Sequence, residues 1–244
     1  MGQSEQQNST GDFCLIADDD EFFRTALRRI LVNKLGYSGV IETGSLDEAV
    51  EQLSERGPIA LAVFDLAMPG MKSAANLRAV RDCFPETQVA VVSASKRRSD
   101  ILQALEAGAH GYVPKGLGVA ELSRALQTIR EGVIYVPPEL AELPSPEDEQ
   151  QLRISESIAP LSSGAAMEPF AGDLTPRQWD VLDLVVKGLS NKEIARALGL
   201  GEGTVKVHAA ALFRTLGVNT RAAAAAAGTR LSKPKQLRGS QTPV

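Results

Sequence analysis

Between residues 13 and 132, short apolar runs alternate five times with segments of helical period. The runs are 13–17, 40–43, 60–64, 89–92 and 111–113; the helical segments are 21–35, 46–54, 73–83, 98–107 and 119–130. A run such as 60–64, apolar at every position, suits a strand covered on both faces, because a half-exposed strand alternates apolar with polar residues. The first helical segment places Phe22, Phe23, Ala26, Leu27, Ile30 and Leu31 at the spacing of one helix face. Gly36, Gly108 and Gly132 stand as stops after three of the helices. Parallel strands need crossover connections, and a helix after each strand supplies one. The alternation therefore predicts an α/β doubly wound parallel sheet, whose ligands bind at the carboxyl ends of its strands.

The rest of the chain is organised differently. Residues 1–12 read as a polar tail without the charged-then-apolar plan of a secretory signal. Residues 13–136 form the α/β domain. Residues 137–172 are rich in proline, serine and acids and read as a linker, with a short helix expected near 146–158. Residues 173–230 carry four helical segments and no strand signal, so they form a separate all-α domain, and 231–244 are a tail. Thr175-Pro176-Arg177-Gln178 and Ser190-Asn191-Lys192-Glu193 are capping boxes that open its first two helices. Residues 199–203 form a glycine-containing turn, 204–216 a third helix, and Thr220 caps a fourth through the alanine run 222–227. Two helices joined by such a turn make a helix-turn-helix. Charge divides along the same lines. Residues 1–136 carry a net −4, 137–172 a net −6 and 173–244 a net +6, which directs a polyanion to the last domain. No apolar run approaches the roughly 20 residues that span a bilayer. The protein is expected in the cytoplasm with no membrane partner, and Cys14 and Cys83 are expected as reduced thiols.

At the strand ends of the α/β domain stand Asp18, Asp19 and Asp20 after strand one, Asp65 after strand three and Lys115 after strand five. In the flavodoxin-like strand order 2-1-3-4-5 these groups converge. Clustered carboxylates suit a hard cation such as Mg²⁺, which takes oxygen ligands. Such a site leaves Asp65 as a nucleophile toward a phosphoryl group, with Lys115 as a point charge for its oxygens. The competing expectation is that Asp18–Asp20 merely cap the following helix.

Residues 13–132 resemble the receiver domain of two-component signalling. The resemblance is carried by Ala17-Asp18-Asp19-Asp20, Asp65-Leu66-Ala67-Met68-Pro69-Gly70, Ser93-Ala94 and Gly111-Tyr112-Val113-Pro114-Lys115. It implies that Asp65 is the phosphoacceptor. Asp18, Asp19, Asp65 and the backbone carbonyl of Ala67 would hold Mg²⁺, Ser93 would bond the phosphoryl oxygen, and Tyr112 would turn inward as Ser93 moves. The chain departs from the pattern at Asp20, where this subfamily often has histidine, and at Lys72-Ser73.

Residues 173–228 are similar to the LuxR-type helix-turn-helix of NarL/FixJ response regulators, through Leu174-Thr175-Pro176-Arg177, Gly188 to Ala195, Gly203 to His208 and Leu216-Gly217-Val218. A recognition helix sets its first residues against base edges while flanking groups hold phosphates. Thr204, Lys206 and Val207 lie early in the third helix, with Lys206 the expected base or phosphate contact and Val207 expected against a thymine methyl. Lys192, His208 and Arg221 are the expected phosphate contacts. Ala210 replaces a residue that is often polar or basic in relatives, and Gly201 replaces a usual serine cap. Both thin the base-reading surface.

The leading expectation is a DNA-binding transcription regulator of a two-component phosphorelay, phosphorylated at Asp65 by a sensor histidine kinase. It would bind double-stranded DNA as a homodimer, with RNA polymerase as a further partner. Two other readings stay open: a DNA-binding regulator that needs no phosphorylation, and an adaptor acting through protein contacts with a weak helix-turn-helix. No catalytic constellation of a conventional enzyme is expected, since His110 and His208 have no evident nucleophile.

Overall fold

The structure, a computed structural model, describes residues 13–56, 58–71, 73–141 and 174–231. The first domain alternates β1 (Phe13–Ala17), α1 (Glu21–Asn33), β2 (Gly39–Thr43), α2 (Leu46–Glu55), β3 (Ile59–Phe64), α3 (Ala74–Cys83), β4 (Gln88–Ser93), α4 (Arg98–Glu106), β5 (Gly111–Pro114) and α5 (Val119–Arg130). All strand pairs are parallel, in the order β2-β1-β3-β4-β5. Strand alternation divides the core between the two faces. Leu15, Ala17, Ala62, Phe64, Val89, Val91 and Tyr112 face α2, α3 and α4. Cys14, Ile16, Leu61, Val63, Ala90, Val92 and Val113 face α1 and α5. After α5 the chain returns to the sheet edge, where Tyr135 bridges Gly111, and ends in a 3₁₀ turn, Pro138–Ala141.

The expected helix face of α1 is only half right. Leu27, Ile30 and Leu31 are buried, but Ala26 is exposed and Phe22 stands 88% exposed. Phe23, the next residue, packs against the core on this side of the sheet, whereas Phe22 faces away from it. The short helix expected near 146–158 and the Lys72 departure lie outside the described residues.

The second domain comprises α6 (Pro176–Val186), α7 (Asn191–Leu198), α8 (Glu202–Thr215) and α9 (Arg221–Gly228). Both expected capping boxes form, and Thr220 caps α9; each such cap is worth about 1 kcal/mol. Trp179, Val181, Leu182, Val185, Ile194, Val205, Leu212 and Leu216 make its core. Gly199, at φ 65°, ends α7 in the left-handed conformation that glycine adopts without a Cβ penalty. The turn is shorter than 199–203, because α8 begins at Glu202 with Gly201 as an N-cap that has no side chain to offer.

The two domains touch. Helix α8 lies across α2 and α3. Its Val207 and Ala211 are fully buried and join the hydrophobic cluster that contains Leu46, Val50, Leu53, Leu77 and Val80, with Ala210 packed at the margin.

Candidate functional site

The sheet brings the acidic residues together. β1 pairs in register with β3, so that Ala17 lies beside Phe64, and β4 pairs with β5, so that Ser93 lies beside Pro114. The residue after each strand then continues the ladder. Asp65 N–H donates to Ala17 O at 2.9 Å, and Lys115 N–H donates to Ser93 O at 2.9 Å. This places the Lys115 ammonium 2.7 Å from Asp18 Oδ2 and 3.1 Å from Asp65 Oδ2, over the Phe23 ring at 4.7 Å from its centroid. Asp18 and Asp65 are both buried. Burial pushes the Asp18 carboxyl above its ordinary range; the Lys115 bond offsets this in part, while the Asp65 charge adds to it. Burial pushes the Lys115 ammonium down, but the bonds and charges of Asp18 and Asp65 outweigh it and hold it above the ordinary value.

The three consecutive acids have divided their work. Asp20 is the cap of α1, accepting from Phe22 N–H and Phe23 N–H. Asp18, Asp19 and Asp65 bring carboxylate oxygens within 4.8 Å of one another. Asp65 Oδ1 is buried with no hydrogen-bond partner. A buried, unpartnered carboxylate oxygen among converging acids fits a hard divalent cation such as Mg²⁺. Ser93 is buried beside this pocket, its hydroxyl accepting from Ser95 N–H at 3.4 Å. Tyr112 is fully buried and donates its hydroxyl to Ser95 O at 2.8 Å, so its ring already points inward.

The residues expected to meet DNA fare unequally. Lys206 and Lys192 are exposed on α8 and α7. Thr204, Val207 and His208 are fully buried. Arg221 is committed within its own domain, donating to Asn191 Oδ1 at 3.0 Å and to the Leu189 carbonyl. His208 Nε2 lies 2.8 Å from Asp47 Oδ1, and Arg177 Nε donates to Asp47 Oδ2 at 2.8 Å. One receiver-side carboxylate thus grips two basic groups of the other domain. Burial pushes the Asp47 carboxyl up, but the bonds and charges of His208 and Arg177 prevail and hold it below the usual carboxylate range. Arg214 also pairs with Asp82 at the end of α3. Close approach is completed at Gly203, where an added Cβ would lie 2.1 Å from Ser54 Oγ on α2.

Asp47, Ser54, Asp82 and Gly203 carry no signal in the sequence as site residues. Each matters only through a partner 130 or more positions away. Ala210 gave the one available hint, since a small apolar residue in a reading helix suits packing against protein better than hydrogen bonding to bases.

Residues 14–127 match the family model for the response regulator receiver domain, and residues 173–227 match that for the bacterial regulatory proteins of the luxR family. A glycerol metabolism activator of Pseudomonas putida is 33% identical over 207 residues, covering 85% of this chain and 90% of its own length. The nitrate/nitrite response regulator protein NarP of Escherichia coli strain K12 is 34% identical over 210 residues, covering 86% and 91%. The transcriptional regulatory protein LnrK of Bacillus subtilis is 30% identical over 214 residues, covering 86% and 93%. No helix among the described residues is long and apolar enough to cross a membrane. The pocket of acids, the helix-turn-helix and these likenesses agree, and the chain belongs to the two-component response regulators of the NarL/FixJ type, transcription regulators that join a receiver domain to a LuxR-type DNA-binding domain.

Proposed function

We propose that this protein is a phosphorylation-released DNA-binding regulator of the cytoplasm, in which Asp65 is the phosphoacceptor and α8 the DNA-reading helix. The supporting observation is that the domain carrying the acidic pocket also covers Val207 and grips His208. A helix in that position cannot enter a major groove.

Asp18, Asp19, Asp65 and the backbone carbonyl of Ala67 would hold Mg²⁺, which when bound supplies charge neutralisation for phosphoryl transfer. Asp65 Oδ1 would face the cation, and Oδ2, which Lys115 holds at 3.1 Å, is the acceptor. Oδ2 forms a bond to the phosphorus of a sensor kinase phosphohistidine as the P–N bond breaks, its electron pair returning to the imidazole. Lys115 then shifts from carboxylate to phosphoryl oxygen, and the Ser93 hydroxyl is placed to donate to another. Separation of the domains frees Val207 and His208, which join Thr204 and the already exposed Lys206 toward DNA, bound as a homodimer on two-fold related half-sites. The working units are the receiver, 13–136, the linker, 137–172, and the DNA-binding domain, 173–230.

The test is DNA binding with and without a small phosphodonor and Mg²⁺, alongside Asp65→Asn. Uptake of one phosphoryl group, lost in Asp65→Asn, with a matching gain in DNA affinity is the expected result. Equal affinity in both states, with uptake demonstrated, refutes it.

A further inference from the structure

The receiver contacts α8 through α2 and α3, and α2 begins directly against the loop that leaves the phosphoacceptor. Ser45 caps α2, and Leu46 N–H, at its first position, donates to Pro69 O at 3.0 Å. Pro69 lies four residues after Asp65. The same loop is anchored at its far end. Met71 N–H donates to Met68 O at 3.2 Å, and the buried Asn76 side chain donates to Gly70 O at 3.2 Å. Gly70 adopts φ 88°, and its Cβ position lies 2.9 Å from Leu46 Cβ, a distance no side chain tolerates. Loop and helix start are therefore in contact through both backbone and side chain. The next residue, Asp47, is the one that grips Arg177 and His208.

Tyr112 is fully buried and bonded to Ser95 O in the same structure in which α8 is covered.

We infer that the Pro69–Leu46 contact is the coupling element between the phosphoacceptor and the DNA-binding domain. Displacement of residues 65–71 when Asp65 is phosphorylated shifts the first turn of α2 and withdraws Asp47 from Arg177 and His208. Packed elements transmit such shifts because cores do not deform continuously. The inference rests on the phosphorylation-released reading above and adds its route.

Leu46→Pro tests it. Proline is favoured at the first position of a helix, and Ser45, at φ −150° and ψ 162°, already has the extended conformation required before proline. The substitution deletes the N–H that Pro69 O accepts and leaves Asp65, Asp18 and Lys115 in place. Phosphoryl uptake and DNA affinity are measured in the full-length protein for both wild type and variant. Wild type is expected to gain about 5- to 150-fold in affinity on phosphorylation, the usual range of coupling. Leu46→Pro is expected to take up phosphoryl normally and to keep the unphosphorylated DNA affinity of wild type, while its gain falls below about 3-fold. A variant that takes up phosphoryl and gains as wild type does overturns the relay. A wild type that takes up phosphoryl and gains nothing fails the underlying reading instead. Leu46 also contributes a buried side chain, so amide hydrogen exchange in wild type provides a measurement independent of the variant's folding. Faster exchange at the Leu46 amide on phosphorylation supports the relay, and unchanged protection overturns it.

Discussion

Gly203→Ala should release the DNA-binding domain without phosphorylation. Gly203 sits in the first turn of α8, and a Cβ there would lie 2.1 Å from Ser54 Oγ and 2.7 Å from Ser54 Cβ. Ordinary contact needs about 3.5 Å, so the helices must part by roughly 1 Å. Ser54 has little freedom to yield, because its hydroxyl donates to Val50 O at 2.7 Å on its own helix. Overpacking of this kind costs about 1–3 kcal/mol. Alanine also favours the helix by about 1 kcal/mol over glycine, but equally in the docked and the released state. The population with α8 free should therefore rise by about 5- to 150-fold, until release is complete. The assay is fluorescence-anisotropy titration of DNA with unphosphorylated protein, with the phosphorylated affinity as the reference for any direct effect of residue 203 on DNA. The single tryptophan, Trp179, is buried in the second domain and reports its folding separately. Ser54→Gly combined with Gly203→Ala should restore the wild-type difference between the two states. A folded Gly203→Ala protein whose unphosphorylated affinity matches wild type would refute the argument.

Three further substitutions separate the contributions. Asp47→Asn removes the charge that grips Arg177 and His208 and should favour release by about 1.5–3 kcal/mol, the usual worth of hydrogen bonds to charged groups, read as tighter DNA binding before phosphorylation. Lys206→Ala, at the exposed position of α8, should lower the affinity of the phosphorylated protein for all sequences and reduce the slope of log K against log salt by about 1 if the lysine meets a phosphate; a loss confined to one base position would assign it to a base edge instead. Lys115→Ala leaves Asp18 and Asp65 buried without their common partner and should destabilise the metal-free receiver by about 3–5 kcal/mol in urea unfolding followed by circular dichroism, with millimolar Mg²⁺ recovering part of the loss.

Most of the fold was legible because its signals are local. The five apolar runs, the glycines after α4 and α5, and the capping boxes at Thr175 and Ser190 are set by neighbours in sequence, and the elements formed within one or two residues of the expected ends. The acidic pocket was legible for another reason: a parallel sheet brings every strand end to one edge, so Asp18, Asp65 and Lys115 needed only the strand order to meet. The division of labour among the three acids was not legible, because a carboxylate at a helix start suits a cap as well as a ligand. Asp20 took the cap. The interdomain surface left almost no trace. Asp47 reads as an ordinary first-turn acid of α2, and its electrostatic partners lie 130 and 161 positions away. Thr204, Val207 and His208 were assigned to DNA by their place in the third helix, and in this structure they are buried. Ala210, which looked like a weakened DNA contact, packs at the margin of the receiver's core.

The central claim is that α8 rests on α2 and must leave it for DNA to bind, and a reversible lock tests it most directly. In Ser54→Cys/Gly203→Cys the two Cβ positions lie 2.7 Å apart, about 1 Å short of the roughly 3.8 Å of a disulfide, so the reduced pair should favour release as Gly203→Ala does and oxidation should hold α8 back on α2. Mild oxidation should cross-link the unphosphorylated protein, and the oxidised form should take up phosphoryl at Asp65 without gaining affinity for DNA until reductant is added. A cross-linked protein that binds DNA as tightly as its reduced form, or a pair of cysteines that never cross-links, would contradict the account.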